Sequence, residues 1–599
     1  MQLTFLKLFN SNLILFMKYL LFALQLVALP LVATGNIKYT SISKNTEISY
    51  TGAYTTLIEL KGKSSDENIL PLYFSALEKI SITEVKTSLS SDKWIRQKKK
   101  EHKIEDAPSH SFYSGAQMIR IDIPKNSEFS ITYTLTCTEL KMLSRMYFNN
   151  YYEIDSIRYQ FKVPSIFQLK FDTTELLKLD IDIDSISIPY QQLYTFCADH
   201  QEKIDKCQKT LLFSISNKNE DQYTSLVNWY RKLLKEIEGI GDLEISEITT
   251  GINANDTLRF INDVFNKVRQ KISYIDFEAG YGAWQPRPAN QIIQNKKGDC
   301  KDMANVLYQI FKRNKISAHI ALIASTSKTD FTFPTLASFN HAICIVQFHG
   351  KEYVLDATDK TSPLGFPSRH TQGHTAFCIS DSTYWFYKIP TPNNDLNINI
   401  NTIKITETDS GNFGTWSCSF RGYEASKFND LIIMISAAES NRALQKYFAS
   451  TSSKINISKL DIMHNSLDSI SFLIHFKLEG GLYFQSKETK YIHIKNLPLF
   501  HPPVSNEGSC HYYFDYLVNS TTTIQLEFKS PLQTSKNPPT EIRNDIAHFT
   551  TSIRQIDNNK IEFKNKFEIT KLELNEKENS QHNEFQNKVQ AILTSTITL

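Results

Sequence analysis

Residues 295–311, "NKKGDCKDMANVLYQIF", place one cysteine between a polar turn and an apolar segment with helical spacing. Asp299 is a natural N-cap, so the pattern predicts a helix that begins near Cys300 and continues to about Lys312. The apolar face of this helix is predicted to contain Met303, Val306, Leu307, Ile310 and Phe311. In a first turn, unpaired backbone N–H groups and the positive helix end favour a thiolate over a thiol. The stretch indicates a reactive cysteine, although a structural cysteine fits the same pattern.

A second segment, "SFNHAICIVQFHGKEYVLDATD" at 338–359, predicts a β-hairpin. If His349 and Gly350 form its turn, Asp356 lies one diagonal step from His341 on the same face of the sheet. A diagonal step is about 7 Å at the backbone, which lets an imidazole reach a carboxylate. A register slip of one residue would place the two side chains on opposite faces.

These three groups have the chemistry of a nucleophilic triad. With Asp356 fixing its tautomer, His341 can take the proton of Cys300 and later give it to a leaving amine. A cysteine of this kind attacks a carboxamide and forms a thioester. The alternative is a core cysteine, a satisfied histidine and a strand aspartate that never meet.

Three segments resemble the transglutaminase-like superfamily of papain-type cysteine enzymes. They are "YGAWQPRPANQIIQNKKGDCKDMANVLYQIFKRNKISAHIALI", "FNHAICIV" and "YVLDATD". More narrowly, the chain resembles bacterial proteins that carry this core behind an N-terminal β domain of unknown function. The resemblance implies that Cys300 is the nucleophile, His341 the base and Asp356 the third member.

The chain departs from the family pattern at three positions. Met303, Val354 and Ala357 stand where the family often has Lys, Trp and Pro. These departures concern local packing and leave the three reacting groups intact.

By the same resemblance, Gln285 or Trp284 in "AWQPRP" is the predicted side-chain donor to the oxyanion of the acyl intermediate. Alternatively, Trp284 covers the core and Gln285 is solvated.

Arg287 and Asp302 are predicted to pair and hold the "AWQPRP" loop against the helix. Asp299 and Asn340, the neighbours of the nucleophile and the histidine, are further predicted supporting residues.

Around these motifs the sequence predicts an α+β protein with three domains. Residues 35–221 show period-two alternation and are predicted to form a β-sandwich. Within them, 118–137, "MIRIDIPKNSEFSITYTLTC", predict a hairpin with alternate residues buried.

Residues 222–394 are the predicted transglutaminase-like domain. The segments 223–239 and 257–272 have helical periodicity, and the second should bury Leu258, Ile261, Phe265, Val268 and Ile272. Three strand candidates follow the cysteine helix: "SAHIALIAS", "HAICIVQF" and "EYVLDAT". Residues 395–599 are predicted to be β-rich, with one helical insertion near 423–448 and clear strands at "SISFLIHFKL" and "TIQLEF".

The N-terminus has the layout of a secretory signal, predicted to cover residues 1–34. Met17 and Lys18 precede an apolar run to Val32, and small residues follow it. The alternative is an uncleaved anchor. No later segment is long and apolar enough for a membrane span, so we expect a periplasmic or secreted protein of the bacterial cell envelope.

Composition and cysteine spacing argue against some partners and metal sites. The 599 residues carry 66 basic and 63 acidic side chains, so a net charge of +3 indicates no nucleic-acid partner. No Cys or His grouping has the spacing of a structural zinc site, and no cofactor is expected. Cys197 and Cys207 are one possible disulfide, if a hairpin brings them together; two free thiols are the alternative.

The sequence thus predicts cysteine-dependent acyl transfer on a peptide or protein amide. Water as the acceptor makes the chain a peptidase or amidase, and an amine makes it a crosslinker; the family resemblance favours hydrolysis. The alternative from another class is a noncatalytic cell-envelope binding or scaffold protein.

Overall fold

The computed structural model describes residues 37–89, 93–98, 102–107, 115–173, 179–202, 209–277, 279–325, 333–434, 436–452, 454–486, 489–499, 511–532 and 538–598. Strand outweighs helix, 47% against 23%, so the protein is mixed α and β and rich in strand, as predicted. The predicted leader, 1–34, lies outside the described residues.

The chain divides into two compact units. The first contains 1–358 and 374–388, and the second contains 359–373 and 389–599. The three predicted domain boundaries stay predictions. None of the helices formed by the described residues is long and apolar enough to cross a bilayer.

The first unit begins with a run of strands. These are β1 (Ile37–Ile48), β2 (Tyr54–Ser64), β3 (Asn68–Phe74), β4 (Glu78–Ser88), β5 (Trp94–Arg96), β6 (Ile104–Asp106), β7 (Gln117–Ile123), β8 (Ser127–Cys137), β9 (Arg145–Tyr147), β10 (Glu153–Pro164), β11 (Phe167–Phe171), β12 (Asp182–Ile188), β13 (Gln191–Gln201) and β14 (Thr210–Asn217). They pair into an eight-stranded sheet, β12-β13-β10-β1-β2-β8-β4-β5, and two three-stranded sheets, β3-β7-β6 and β11-β14-β9. Their alternate apolar residues share one core.

The hairpin predicted for 118–137 is wrong in its pairing. Alternate residues of β7 and β8 are buried as predicted, from Ile119 to Cys137. However, β7 pairs with β3 and β6, whereas β8 pairs with β2 and β4. Period-two burial arises equally when two strands face each other across a core, so it could not distinguish this arrangement from a hairpin.

The hairpin that would have joined Cys197 to Cys207 is likewise not formed. Cys197 lies on β13, which pairs with β10 and β12, whereas β14 belongs to another sheet. Cys207 lies outside the described residues, so the disulfide itself stays a prediction.

The rest of the first unit combines helices with a second sheet. Its helices are α1 (Gln222–Lys235), α2 (Asp242–Thr249), α3 (Thr257–Lys271), α4 (Ala289–Asn295) and α5 (Cys300–Arg313). Its strands are β15 (Ser273–Tyr274), β16 (Lys297–Gly298), β17 (Ala318–Ile323), β18 (His341–Phe348), β19 (Lys351–Leu355), β20 (Thr375–Ile379) and β21 (Tyr384–Lys388). The last five form an antiparallel sheet in the order β19-β18-β17-β20-β21, and β15 pairs with β16.

The helical periodicity located α1, α3 and α5 correctly. All five apolar residues predicted for the buried face of α5 are fully buried, and this helix packs against β17 and β18. On α3, Leu258 is instead 36% exposed, because it lies in the first turn beyond the packed face. Helix α2 and strands β20 and β21 were not predicted.

The second unit has its own eight-stranded sheet, β24-β25-β23-β22-β29-β32-β31-β30, and smaller sheets β26-β27-β34 and β28-β33. Its strands are β22 (Ile398–Thr408), β23 (Gly411–Arg421), β24 (Ile455–Asn465), β25 (Ser469–Leu478), β26 (Phe484–Ser486), β27 (Thr489–His493), β28 (His511–Tyr513), β29 (Asn519–Glu527), β30 (Thr540–Arg543), β31 (Ala547–Asp557), β32 (Lys560–Ile569), β33 (Glu573–Asn575) and β34 (Thr596–Thr598). The helices are α6 (Tyr423–Met434), α7 (Ala437–Ala449) and α8 (Glu576–Leu593). The predicted insertion is thus two helices, and α8 was not predicted.

Candidate active site

Helix α5 begins at the predicted residue. The Asp299 side chain accepts a hydrogen bond from the Asp302 backbone at 3.2 Å, and the Asp302 side chain accepts one from the Asp299 backbone at 3.1 Å. This reciprocal capping box fixes the first turn. The predicted N-cap is confirmed, and Cys300 is the first residue of the helix and partly exposed.

The turn before Cys300 lies unusually close to the helix. A Cβ on Gly298 would lie 3.0 Å from the Cβ of Asp302 and 3.1 Å from a methyl of Ile292, so a larger residue would displace its neighbours. The Gly298 carbonyl accepts a hydrogen bond from the Ile275 backbone at 3.0 Å. The backbone just before Cys300 is therefore tied to the chain that follows α3.

Arg287 and Asp302 meet as predicted. The Asp302 carboxylate accepts from the Arg287 backbone at 2.7 Å and from its Nε at 3.0 Å. Asn305, one helical turn further on, donates to the Arg287 carbonyl at 3.2 Å. Asp302 is fully buried, so this pair fastens the loop that carries Trp284 and Gln285 to α5.

Lys301 belongs to the same network but was not predicted. Its buried ammonium contacts Asp299 and donates to the Phe277 carbonyl at 3.1 Å. Burial alone would lower the pKa of Lys301, but the charges of Asp299, Cys300 and Asp302 outweigh burial and raise it. A lysine in the first turn is unfavourable beside the positive end of the helix dipole. This was the feature of the sequence that pointed to an acidic partner for Lys301.

The hairpin register is the predicted one. Phe348 pairs with Lys351 on either side of the turn, and the ladder continues in step toward the open end of the hairpin. His341 begins β18, and its Nε2 lies 3.0 Å from an Asp356 carboxylate oxygen. The predicted meeting of these two side chains is thus present in the structure.

Hydrogen bonds from neighbouring residues support both His341 and Asp356. The other oxygen of Asp356 accepts from the Thr358 backbone at 3.1 Å and from its hydroxyl at 2.7 Å. Asn340 accepts from the Ser325 backbone at 2.7 Å, and its own N–H donates to the Ile323 carbonyl at 3.0 Å. Asn340 therefore joins the end of β17 to the start of β18.

Cys300 completes the arrangement, because its side chain lies close enough to His341 to act on the imidazole. Burial by itself would lower the pKa of His341, but the charge and hydrogen bond of Asp356, and then the neighbouring Cys300, raise it to about 10. At neutral pH His341 is therefore an imidazolium beside the Asp356 carboxylate.

The two predicted oxyanion donors differ in position. The Gln285 amide donates to the Leu233 carbonyl at 3.1 Å and to Glu236 at 2.9 Å, at the end of α1. Both N–H groups of the amide are engaged there. Gln285 therefore has no free N–H for the oxyanion, and the role predicted for it is wrong. Trp284 is 8% exposed and belongs to the hydrophobic cluster against which Cys300 packs.

Comparison with known proteins adds a similarity of fold. No protein-family model matches the chain, and no curated protein matches its sequence. A crystal structure of a protein from Parabacteroides distasonis, described as a candidate protease, superposes with a TM-score of 0.60. The match covers 94% of this chain and 99% of that protein at 10% identity, and at that identity it is a similarity of fold alone.

Proposed function

We propose that the chain is a transglutaminase-like cysteine enzyme that cleaves a peptide or protein amide through a thioester on Cys300. The observation that carries this proposal is the 3.0 Å contact of His341 with Asp356, beside Cys300 at the first turn of α5. Each group has the neighbour that its role requires: the nucleophile has a base, and the base has an orienting carboxylate.

The chemistry follows from these positions. The Cys300 thiolate attacks the carbonyl carbon, and the resulting oxyanion receives hydrogen bonds from the N–H groups of the first turn. His341 gives its proton to the leaving amine as the C–N bond breaks, and a thioester remains. Water then attacks the thioester, His341 accepts a water proton, and the acid leaves with the thiolate restored.

Hydrolysis is the proposed outcome in preference to crosslinking. The family resemblance of the sequence favours water as the acceptor, and the Parabacteroides protein of similar fold is named as a candidate protease. The proposed architecture is a β-sandwich over 35–221, the catalytic domain over 222–394 and a β-rich domain over 395–599. The proposed location is the periplasm or exterior of a bacterial cell, reached through the leader at 1–34.

An activated ester tests the proposal without knowledge of the natural substrate. We expect p-nitrophenyl acetate to give a burst of nitrophenolate and an acetyl group on Cys300, found by peptide mass spectrometry. Cys300→Ser should abolish the burst, whereas Cys344→Ser, which alters a fully buried residue of β18, should leave it unchanged. If acetylation is unchanged in Cys300→Ser, the proposal is contradicted and a scaffold protein is favoured.

The acceptor is tested in a second experiment. Casein is incubated with the wild-type protein, with and without a fluorescent primary amine. New peptide termini that require Cys300 indicate hydrolysis, whereas covalent incorporation of the amine that requires Cys300 would show crosslinking and overturn the hydrolytic part.

A further inference from the structure

The loop 279–287 contributes to the surroundings of Cys300. Trp284 is buried in the hydrophobic cluster against which Cys300 packs. At the end of the loop, the Arg287 backbone donates to the Asp302 carboxylate at 2.7 Å, in the first turn of α5. A displacement of this loop would therefore move a side chain that is packed in the same cluster as the nucleophile.

The same loop packs against the strand-rich region that precedes α1. A Cβ on Gly280, whose φ is +59°, would lie 3.4 Å from the Leu77 side chain, between β3 and β4. A Cβ on Gly115, just before β7, would lie only 2.5 Å from the Cβ of Ala279, which leaves no room for a larger residue. The backbone of the loop thus lies close against the chain of that region.

A side-chain hydrogen bond joins the loop to the same region. The Tyr281 hydroxyl donates to one carboxylate oxygen of Glu139 at 3.2 Å, and the other oxygen accepts from the Lys141 backbone at 3.0 Å. Glu139 follows β8 and caps the short helical turn Leu140–Met142. Its carboxylate is therefore held by its own strand-rich region on one side and by the loop on the other.

Tyr281 connects this carboxylate to Trp284 through the backbone. The Tyr281 carbonyl accepts from the Trp284 N–H at 2.9 Å and from the Gln285 N–H at 2.7 Å. Burial first, and then the charge and hydrogen bond of Glu139, raise the pKa of Tyr281 to about 12, so its hydroxyl stays a donor at physiological pH. Glu139 thus fixes the turn that carries Trp284.

We propose that Glu139 is a positioning residue of the active site, whose hydrogen bond with Tyr281 holds Trp284 in the cluster beside Cys300. The inference rests on the proposed role of Cys300. Glu139 acts through the loop and takes no part in the chemistry itself. The strand-rich region that supplies it is then a component of the active site, because it fixes one side of the space that the acyl group enters.

Tyr281→Phe removes the donor of this hydrogen bond, and Glu139→Ala removes the acceptor. We expect each to lower kcat/KM for p-nitrophenyl acetate about tenfold, because the loop is no longer held in its productive position. Glu139→Gln should stay close to the wild type, because its amide oxygen accepts the same hydrogen bond. The double variant Glu139→Ala/Tyr281→Phe should lose about tenfold and not about a hundredfold, because both changes remove one interaction.

The amplitude of the nitrophenolate burst counts the active molecules, so unfolded protein lowers the amplitude without changing kcat/KM per active molecule. A matched control is Tyr194→Phe, which removes a hydroxyl that donates to the Gln192 side chain at 2.6 Å on β13. It should leave kcat/KM unchanged. Wild-type kcat/KM in Tyr281→Phe would overturn the inference. So would a Glu139→Gln variant as slow as Glu139→Ala, or a double variant that multiplies the two single losses.

Cys300→Ser separates this inference from the proposed function. If it abolishes turnover and Tyr281→Phe leaves turnover unchanged, the inference about Glu139 is wrong while the role of Cys300 stands. If turnover does not require Cys300, the proposed function fails and the inference fails with it.

Discussion

Cys300 and His341 are held in different ways. Cys300 begins a helix whose first turn is fixed by buried charges within a few residues of it, Asp299, Lys301 and Asp302. His341 begins a strand whose place is fixed by pairing with β17 and β19. Buried charges thus fix one side of the site, and strand pairing fixes the other.

Because of this difference, we expect substitutions on the helix side to affect stability most and substitutions on the hairpin side to affect the reaction most. On the helix side, removing one charge leaves another buried and unpaired, so the fold itself is at risk. On the hairpin side, the strand is held by its ladder whatever side chain stands at 341, so a substitution there should affect the reaction first. The following experiments can break or sharpen that contrast.

The largest effect is expected from His341→Ala. Loss of the proton-transfer group should reduce turnover of p-nitrophenyl acetate by about 10²–10⁴-fold. His319→Ala is the matched control, because His319 lies on the neighbouring β17 and packs against Trp385. If both variants reduce turnover equally, His341 has no special role.

Asp302→Ala should act on stability. It leaves the Arg287 guanidinium and the Asp299 N–H without their buried acceptor and should cost about 3–5 kcal/mol of unfolding free energy. Asp263→Ala is the control, since the ion pair of Asp263 with Arg259 is largely exposed and is worth about 0–1 kcal/mol. Urea titrations of the two variants measure the difference, and similar losses would refute the contrast.

Separation along the chain explains what could be predicted from the sequence. The start of α5 and the register of the β18–β19 hairpin depend on residues close together in the chain, and both were predicted. The pairing of β7 and β8 depends on which strands lie beside them, and its prediction was wrong. Alternation reports burial and says nothing about hydrogen-bonded neighbours.

Side chains that come from distant elements were the least predictable part of the site. Tyr230 of α1 belongs to the hydrophobic cluster against which Cys300 packs, and the sequence did not single it out. Gln285 was one of two predicted oxyanion donors, with a solvated side chain as the alternative, yet its amide donates to two acceptors at the end of α1. Lys301 could have been identified, because a lysine in a first turn needs a nearby anion.

The pH dependence of stability should report the His341–Asp356 pair. The folded-state pKa of His341 is raised to about 10, above the ordinary 6.5, so the pair contributes fully below about pH 6.5 and its contribution is lost as pH rises toward 10. The wild-type thermal midpoint should therefore decline more steeply across this window than that of Asp356→Asn. Parallel declines would show that the carboxylate does not stabilise the imidazolium.

The smallest effect is expected at Cys344, three residues after His341 on the same strand. Burial raises the pKa of Cys344 and of Cys378, so both should stay unlabelled by iodoacetamide in the native protein, while Cys300 reacts first among the described cysteines. Cys344→Ala should leave the labelling rate of Cys300 unchanged, because the ladder of β18 and not this side chain positions His341. Mass spectrometry of each cysteine-containing peptide over a pH series gives the rates. Slower labelling of Cys300 in this variant would mean that packing inside the strand, and not register alone, sets the position of the base.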